Sequence, residues 1–307
     1  MARIVIAERV ASEGLALLSS AGHELLDLSG ASPEALREAL ATADALVVRS
    51  QVRVDAALIA AALHLRVIGR AGVGIDNIDG SAAAARQITV VNAPSGNTIA
   101  AAEHTMALLL GIARNIAPAD RSMRTGAWER KAFQGFQLSG KSIGIVGFGR
   151  VGRAVATRAA AFGMIPLAHD PVVGAAEITA AGVTPLTLDE LLARADVVTL
   201  HAPAARGAAP LIGAREIALM RRNAVLINVA RGALVDEAAL AAALASGAIA
   251  GAAIDVFTSE PPVGSPLLSA PHTLLTPHLG ASTAEAQVAV AVEMAERMIL
   301  ALSETRG

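Results

Sequence analysis

A glycine-rich turn near the middle of the chain is the feature that most restricts its fold. The turn, Gly147-Phe148-Gly149-Arg150-Val151-Gly152, follows the apolar run Ser142–Val146 and precedes the helical run Arg153–Ala161. Its three glycines permit a tight turn, a close approach of a ligand to the backbone, and close packing of the helix on the strand. The pattern therefore predicts a parallel β-sheet in which this strand passes directly into a helix.

An acidic residue completes the pattern. Asp170 follows the next strand candidate, Met164–Ala168, about 20 residues after the turn, as a dinucleotide-binding fingerprint requires. Its carboxylate can accept hydrogen bonds from ribose hydroxyls and would repel a 2′-phosphate, while the helix N-terminus favours the pyrophosphate. We therefore expect NAD rather than NADP, bound by Gly147, Gly149, Arg150, Val151, Gly152 and Asp170. The alternative is an ordinary strand–helix turn with a surface aspartate.

Strand and helix patterns alternate on both sides of this turn. The strand candidates before it are Arg3–Ala7, Glu24–Leu28, Ala45–Arg49, Arg66–Arg70 and Thr89–Val91. Those around and after it are Ile143–Val146, Met164–Ala168, Val197–Leu200, Val225–Asn228, Ala250–Asp255 and Thr273–Leu275. Alternation of this kind predicts parallel sheets with helices on both faces. Because a complete α/β region precedes the glycine-rich turn, we expect a second domain and an active-site cleft between the two.

The Pro/Gly/Asn cluster Asn92–Asn97 is the predicted hinge between these domains, because such residues interrupt regular structure. We expect residues 1–95 and 282–307 to form a substrate-binding domain, and residues 96–281 to form an NAD-binding Rossmann domain. The fold class is thus α/β, with two Rossmann-like or flavodoxin-like doubly wound parallel sheets. One long apolar helix is expected over Ala100–Ile116.

The composition excludes several classes of function. The chain has 307 residues and a net charge of −2, so no global positive field attracts nucleic acid or an anionic membrane. It has no cysteine, which excludes disulfides, thiolate nucleophiles and Cys-ligated metal sites, and we expect no metal. The apolar runs Ile99–Ile112 and Ala238–Ile254 are interrupted, and the N-terminus lacks a signal-peptide pattern. We expect a cytoplasmic protein.

Three late strand candidates are followed by polar side chains that suit chemistry. Arg231 comes after the strand at Val225–Asn228, Glu260 after the strand that ends at Asp255, and His278 after Thr273–Leu275. Ligands bind outside the carboxyl ends of the strands in open parallel sheets, so these side chains are expected to meet in one cleft. Taken singly, Glu260 could be a turn residue and Arg231 a surface charge.

The segments around these residues resemble the D-2-hydroxyacid dehydrogenase family. NVARGALVDE (228–237), DVFTSEPP (255–262) and TPHLGAS (276–282) look like the signatures of that family. The similarity is closest to its phosphoglycerate dehydrogenase branch and covers nearly the whole chain. RAGVGIDNID (70–79), NAPSGNT (92–98), WERKAFQG (128–135) and PHLGAST (277–283) resemble that branch. The resemblance implies NAD-dependent oxidation of D-3-phosphoglycerate, a step of serine biosynthesis.

The resemblance also implies a role for each catalytic residue. Arg231 would hold the substrate carboxylate through charge-assisted hydrogen bonds. His278 would take the hydroxyl proton in oxidation and return it in reduction, and Glu260 would orient His278 and raise its pKa. Asp255 would bind the nicotinamide carboxamide. Further residues near the cofactor would be Ala202, Val229, Ala230, Gly280 and Ala281, together with Arg231 and His278. The other histidines, at positions 23, 64, 104, 169, 201 and 272, are read as structural.

A second set of residues would bind the substrate, which is expected to be a 2-hydroxy or 2-keto acid carrying a phosphate. The resemblance assigns this role to Arg49, Arg70, Val73, Gly74, Asn97 and Arg130. Backbone N–H groups of a glycine-rich turn can form an anion-binding nest, and arginine suits phosphate geometrically. Arg130 is expected to reach the substrate from a neighbouring subunit of a homodimer, or of a dimer of dimers, built around Ala100–Ile116 and the WERK segment. For Arg53 we favour a solvated surface charge.

One segment departs from the family pattern and keeps other functions open. Family members often have a threonine-rich run where this chain reads Ala202–Ala208, and Arg206 is a conceivable substitute for the lost hydroxyls. The enzymatic alternatives are a glyoxylate/hydroxypyruvate reductase or another D-2-hydroxyacid dehydrogenase. A different class of function is an NAD-sensing, corepressor-like binding protein. The sequence ends soon after the predicted last helix, Thr283–Leu302, so we expect no C-terminal regulatory domain.

Overall fold

The computed structural model describes residues 1–205 and 207–304, and Arg206 therefore lies outside the described residues. The chain divides into two compact units. Unit 1 comprises Met1–Asn97 and the segment from Ala281 onward, and unit 2 comprises Thr98–Gly280. The hinge expected at Asn92–Asn97 thus ends where unit 1 gives way to unit 2 along the chain.

Unit 1 contains a five-stranded parallel sheet in the order β2-β1-β3-β4-β5. Its strands are β1 (Arg3–Ile6), β2 (Glu24–Asp27), β3 (Ala45–Val48), β4 (Val67–Arg70) and β5 (Thr89–Asn92). Its helices are α1 (Ser12–Ser20), α2 (Pro33–Leu40), α3 (Ala56–Ala61), α4 (Gly80–Ala85) and α12 (Ala284–Glu304). Separate apolar clusters cover the two faces of the sheet, and α12 supplies Met294 and Met298 to one of them. This sandwich of helices around short apolar strands is what the alternating pattern predicts.

Unit 2 contains a seven-stranded parallel sheet in the order β12-β11-β10-β9-β6-β7-β8. Its strands are β6 (Ser142–Val146), β7 (Ile165–His169), β8 (Thr184–Pro185), β9 (Val197–Leu200), β10 (Val225–Asn228), β11 (Gly251–Ile254) and β12 (Thr273–Leu275). Its helices are α5 (Thr98–Ala113), α6 (Ile116–Arg124), α7 (Arg150–Ala161), α8 (Ala175–Ala180), α9 (Leu188–Arg194), α10 (Ala214–Leu219) and α11 (Glu237–Ser246). The doubly wound α/β fold class predicted from the sequence is confirmed.

The helix predicted over Ala100–Ile116 is shorter in the structure, and this part of the prediction is wrong. Helix α5 ends at Ala113 and α6 begins at Ile116. Between them Asn115 has a φ of +53°, a left-handed conformation that asparagine tolerates better than most residues. The carbonyl of Ala113 accepts a hydrogen bond from the amide of Phe136 instead of continuing the helix. Within the described part of the chain, no helix is long and apolar enough to span a bilayer.

Candidate functional site

The three glycines of the central turn play different structural parts. Gly147 has a φ of +95°, and a Cβ there would lie 2.6 Å from the carbonyl carbon of His201. A Cβ at Gly152 would lie 2.1 Å from the carbonyl oxygen of Gly147, so α7 packs directly on the end of β6. A Cβ at Gly149 would meet no heavy atom within 4 Å. The backbone at Gly149 therefore borders open space at the N-terminus of α7, where a pyrophosphate fits.

The carboxylate of Asp170 lies beside this turn, just beyond the end of β7. It accepts hydrogen bonds from the backbone amides of Phe148 (2.6 Å), Val172 (2.8 Å) and Val173 (3.0 Å). Burial acts to raise the pKa of Asp170, but these amide hydrogen bonds outweigh it and hold the pKa below its usual value. Asp170 therefore stays ionised and braces the glycine turn, a structural role that the sequence did not reveal.

The Arg231 segment is shaped by the buried end of β10. The Asn228 side chain donates to the carbonyl of Arg231 (2.8 Å) and accepts from the amide of Ala230 (3.1 Å), which folds the chain back after the strand. A Cβ at Gly232 would lie 1.9 Å from the carbonyl carbon of Phe257. The turn that carries Arg231 thus packs against the loop that follows β11 and carries Glu260.

His278 and Glu260 form a close pair at the same edge of the sheet. The imidazole Nδ1 lies 2.7 Å from the Glu260 carboxylate, whose other oxygen accepts from the amide of Phe257 at 3.2 Å. An ionised carboxylate only accepts, so Nδ1 carries the proton and Nε2 is left for proton exchange with a ligand. The two side chains are 49% and 39% exposed, so a ligand can reach them.

The charges of this pair stabilise each other. The hydrogen bond to Glu260 raises the pKa of His278, and burial of the ring and the positive charge of Arg231 oppose that shift. Burial acts to raise the pKa of Glu260, but the hydrogen bond from His278 outweighs it and the pKa lies below its usual value. Glu260 and Arg231 thus both act electrostatically on His278, with opposite signs.

Asp255 lies in a buried and strongly hydrogen-bonded environment just after β11. Its side chain is 0% exposed, and its carboxylate receives hydrogen bonds from His104, Thr276, Leu279 and Gly280. Three of these donors bond Oδ1, whereas Oδ2 accepts from the amide of Gly280. Asp255 thus anchors the segment that carries His278, and its contact with a nicotinamide carboxamide stays a prediction.

The other expected cofactor residues lie around the same strand ends, with one exception. Val229 and Ala230 follow β10 and are partly buried, and Ala202 follows β9, where its amide nitrogen would lie 2.7 Å from a Cβ on Gly147. Gly280 is buried beside Val229. Ala281 belongs to unit 1, where its carbonyl accepts from the Gln287 side chain at 2.7 Å.

The expected substrate residues are divided between the units. Arg49, Arg70, Val73, Gly74 and Asn97 belong to unit 1, and Arg130 lies on an exposed 3₁₀ turn of unit 2. The amides of Arg49 (2.6 Å), Gln51 (3.0 Å) and Val52 (3.2 Å) donate to the carboxylate of Glu8, which is buried.

Further contacts hold the unit 1 loops in place. Asn77 donates to the carbonyls of Arg49 (2.9 Å) and Val52 (2.7 Å), on either side of the turn. The guanidinium of Arg70 occupies the space that a Cβ on Gly72 would take. Glu8 and Asn77 are supporting residues that sequence reasoning missed, because neither lies in a motif that signals a site.

A pocket of about 440 Å³ adjoins the His278–Glu260 pair within unit 2. Its remaining walls are apolar or nearly so, and consist of Phe257, Pro261, Pro262, Leu268, Leu275, Thr276 and Pro277. Among residues 1–205 and 207–304, no cluster of histidine, aspartate or glutamate side chains has the arrangement of a metal site.

A glycine turn at a helix N-terminus, an acidic residue just after the next strand and a His–Glu pair at the carboxyl edge define a dinucleotide-binding α/β protein. Comparison with known proteins narrows this class. Residues 106–280 match the family described as "D-isomer specific 2-hydroxyacid dehydrogenase, NAD binding domain". The chain belongs to the D-isomer specific 2-hydroxyacid dehydrogenase family, and the predictions of that family and of an NAD-binding domain are confirmed.

Individual relatives point the same way. A curated protein of Archaeoglobus fulgidus named D-3-phosphoglycerate dehydrogenase is 45% identical over 298 residues, covering 97% of this chain but 56% of the relative. The chain therefore spans about half the length of the curated relatives it matches. A crystal structure of a Thermus thermophilus protein is 35% identical, with a TM-score of 0.88, and covers 98% of this chain and 97% of that one. A glyoxylate reductase from Paecilomyes thermophila is 30% identical, with a TM-score of 0.89, and covers 99% and 96%.

Proposed function

We propose that the chain catalyses NAD-dependent oxidation of D-3-phosphoglycerate to 3-phosphohydroxypyruvate, a reaction that serves serine biosynthesis in the cytoplasm. The observation that carries this proposal is the 2.7 Å contact between His278 Nδ1 and Glu260 at the carboxyl edge of the NAD-binding sheet. It supports acid–base chemistry because it leaves Nε2 for the substrate and raises the pKa of the imidazole through the hydrogen bond to Glu260. The names of the curated relatives support the phosphorylated substrate.

The cofactor would be held by the backbone at Gly149 and α7, with Asp170 beside the glycine turn. NAD, when bound, supplies the acceptor for the hydride that leaves the substrate. In oxidation, neutral His278 takes the hydroxyl proton at Nε2, and Glu260 stabilises the imidazolium that results. In the reverse direction the same nitrogen returns the proton. Arg231 holds the substrate carboxylate and neutralises its charge.

The phosphate would be bound by cations from more than one source. We assign unit 1 the role of substrate binding, with Arg49 and Arg70 as its cations. The backbone of Val73 and Gly74 would help to bind the substrate carboxylate, and Asn97 is a further residue expected to bind the substrate. Arg130 would come from a second copy of the chain in a homodimer or a dimer of dimers. Its exposure on a 3₁₀ turn supports this role, because an exposed guanidinium can bind a ligand outside its own unit.

Replacing Arg130 tests the phosphate assignment. Arg130→Ala should raise the KM for D-3-phosphoglycerate about tenfold or more, because a hydrogen bond between charged groups contributes about 1.5–3 kcal/mol. The KM for D-glycerate, which has no phosphate, should stay unchanged. NADH absorbance measures both. Arg121→Ala, on an exposed part of α6, is the matched control and should alter neither value. An equal rise for both substrates would contradict the assignment.

A glyoxylate/hydroxypyruvate reductase is the second candidate. The Ala202–Ala208 segment lacks the threonine hydroxyls expected beside a phosphorylated substrate, which favours a smaller one. Assaying NADH oxidation with glyoxylate, hydroxypyruvate and 3-phosphohydroxypyruvate separates these candidates by their kcat/KM values. Binding of NADH without turnover of any of them would favour the NAD-sensing class over an enzyme.

A further inference from the structure

A polar cluster lies beneath the segment that carries His278, and the reaction described above does not use it. His104 extends from α5, with its Nε2 at 3.1 Å from Oδ1 of Asp255 and 3.2 Å from Oγ1 of Thr276. The Thr276 hydroxyl donates to the same Asp255 oxygen at 2.6 Å. Because Asp255 accepts both bonds as a carboxylate, Nε2 of His104 carries a proton and donates.

Asp255 also forms hydrogen bonds with the backbone around His278. Its carboxylate oxygens accept from the amides of Leu279 (2.8 Å) and Gly280 (2.9 Å), and its carbonyl accepts from the amide of His278 (2.8 Å). His278 has a φ of +55°, in the left-handed region that a residue with a Cβ rarely adopts. Such a conformation persists only where the surroundings hold it, and the three amide bonds to Asp255 do so.

A buried carboxylate needs donors to remain charged. Asp255 is 0% exposed, and an unpaired charge at such a place is strongly unfavourable. Burial acts to raise the pKa of Asp255, and the hydrogen bonds from His104 and Thr276 are the largest effects that hold the pKa below its usual value. The negative charge of Asp255 in turn favours the protonated form of His278.

We propose that His104 and Thr276 are positioning residues, which hold the imidazole of His278 in place through the buried carboxylate of Asp255. This inference rests on the proposed function, because it assumes that His278 exchanges the substrate proton. The three side chains come from helix α5, the end of β11 and the end of β12, all within unit 2. Neither His104 nor Thr276 touches the substrate in this account, and each acts only by fixing His278.

Paired substitutions at both positions test the proposal. His104→Leu and Thr276→Val each remove a donor at similar volume, whereas His104→Gln and Thr276→Ser keep one. We expect kcat for reduction of 3-phosphohydroxypyruvate to fall about tenfold to a hundredfold in the first pair, since small misplacements of a catalytic group have effects of that size. The second pair should retain most of the activity. Rates are expressed per NADH-binding site. Thr273→Val is the matched control, because Thr273 lies on β12 but its hydroxyl donates to the carbonyl of Ala270 and not to Asp255.

Hydrogen–deuterium exchange gives a readout that does not depend on turnover. The amides of residues 278–280 should exchange faster in His104→Leu and Thr276→Val, and at the original rate in His104→Gln, Thr276→Ser and Thr273→Val. Unchanged exchange in the first pair, or faster exchange with full kcat, would overturn the proposal. Equal loss of activity in His104→Gln and His104→Leu would also overturn it. Absence of turnover in the unmodified chain would instead defeat the proposed function and the positioning role with it.

Discussion

The protonation of His278 is set by its immediate neighbours. Glu260 accepts from Nδ1 and raises the pKa of the imidazole above the ordinary 6.5, while Arg231 opposes this rise. The positive charge of His278 is therefore favoured by Glu260 and opposed by burial of the ring and by Arg231. An imidazole with a pKa close to the working pH can act in both directions of a reversible reaction.

Substituting Glu260 should shift the pH profiles of both oxidation and reduction to lower pH. In Glu260→Gln the carboxylate that raises the pKa of His278 is gone, so that pKa falls. Reduction needs protonated His278 and should decline at a lower pH than in the unmodified chain. Oxidation needs neutral His278 and should begin at a lower pH. Profiles of kcat/KM against pH measure both midpoints, and a midpoint that stays in place would argue against the pairing.

At the scale of a structural element, two glycines of the central turn have different roles, one in ligand binding and one in packing. Gly149 borders open space, whereas Gly152 lies against the carbonyl of Gly147. The first position can take a methyl group without disturbing the fold, and the second cannot. Binding and stability should therefore respond differently to the same substitution at two sites three residues apart.

Alanine at each of these glycines makes a matched pair. Gly149→Ala should keep the Tm but weaken NADH binding, because the methyl group fills the space beside the pyrophosphate. Gly152→Ala should lower the Tm, since its Cβ would lie 2.1 Å from a backbone oxygen and α7 would have to shift. Overpacking of this kind costs about 1–3 kcal/mol. Differential scanning fluorimetry and NADH fluorescence titration measure the two effects. Equal losses of Tm would contradict the assignment of separate roles.

The loop after β3 is held by the buried carboxylate of Glu8. The carboxylate of Glu8 accepts from the amides of Arg49, Gln51 and Val52, whereas a glutamine side chain has a single acceptor oxygen. Glu8→Gln should lower the free energy of unfolding by about 1–3 kcal/mol and raise the KM for the phosphorylated substrate. Urea denaturation and NADH assays measure these changes. Glu13→Gln, on an exposed part of α1, is the control and should leave both values unchanged.

At the scale of the whole molecule, apolar side chains are exposed on one stretch of unit 2. Ile99, Ile116, Met123 and Trp128 on and after α5 and α6 are all more than half exposed, with Trp128 at 74%. Exposed apolar patches commonly mark protein–protein contacts. This stretch includes the region where the family resemblance implies a homodimer, so the exposed side chains support a prediction that the interface lies here.

The dimer can be tested with the single tryptophan of the chain. If Trp128 is buried between two copies, its fluorescence emission should shift to longer wavelength as the protein is diluted and dissociates. Sedimentation should give a mass of twice 31.0 kDa at high concentration. Trp128→Ala should favour the monomer, because burial of a tryptophan is commonly among the largest contributions to an interface. A constant mass of 31.0 kDa at all concentrations would contradict the prediction.

Much of the fold follows from local signals in the sequence. Short apolar strands separated by helical patterns predicted both parallel sheets, and the turn at Gly147–Gly152 indicated where the dinucleotide site begins. The break between α5 and α6 did not follow, because it depends on Asn115 adopting a positive φ while a distant segment bonds the end of α5. Apolar periodicity records which face of a helix is buried and carries no information about such a bond.

The sequence by itself determined the fold class and the family, and it indicated Arg231, Glu260 and His278 as candidate site residues, because each belongs to a motif of contiguous residues. Only the tertiary structure decided what supports them. His104 and Asp255 are 151 residues apart in the chain, yet they share a hydrogen bond. That contact exists because β11 and β12 pair in one register and α5 packs beside them, and register and packing are properties of the folded sheet.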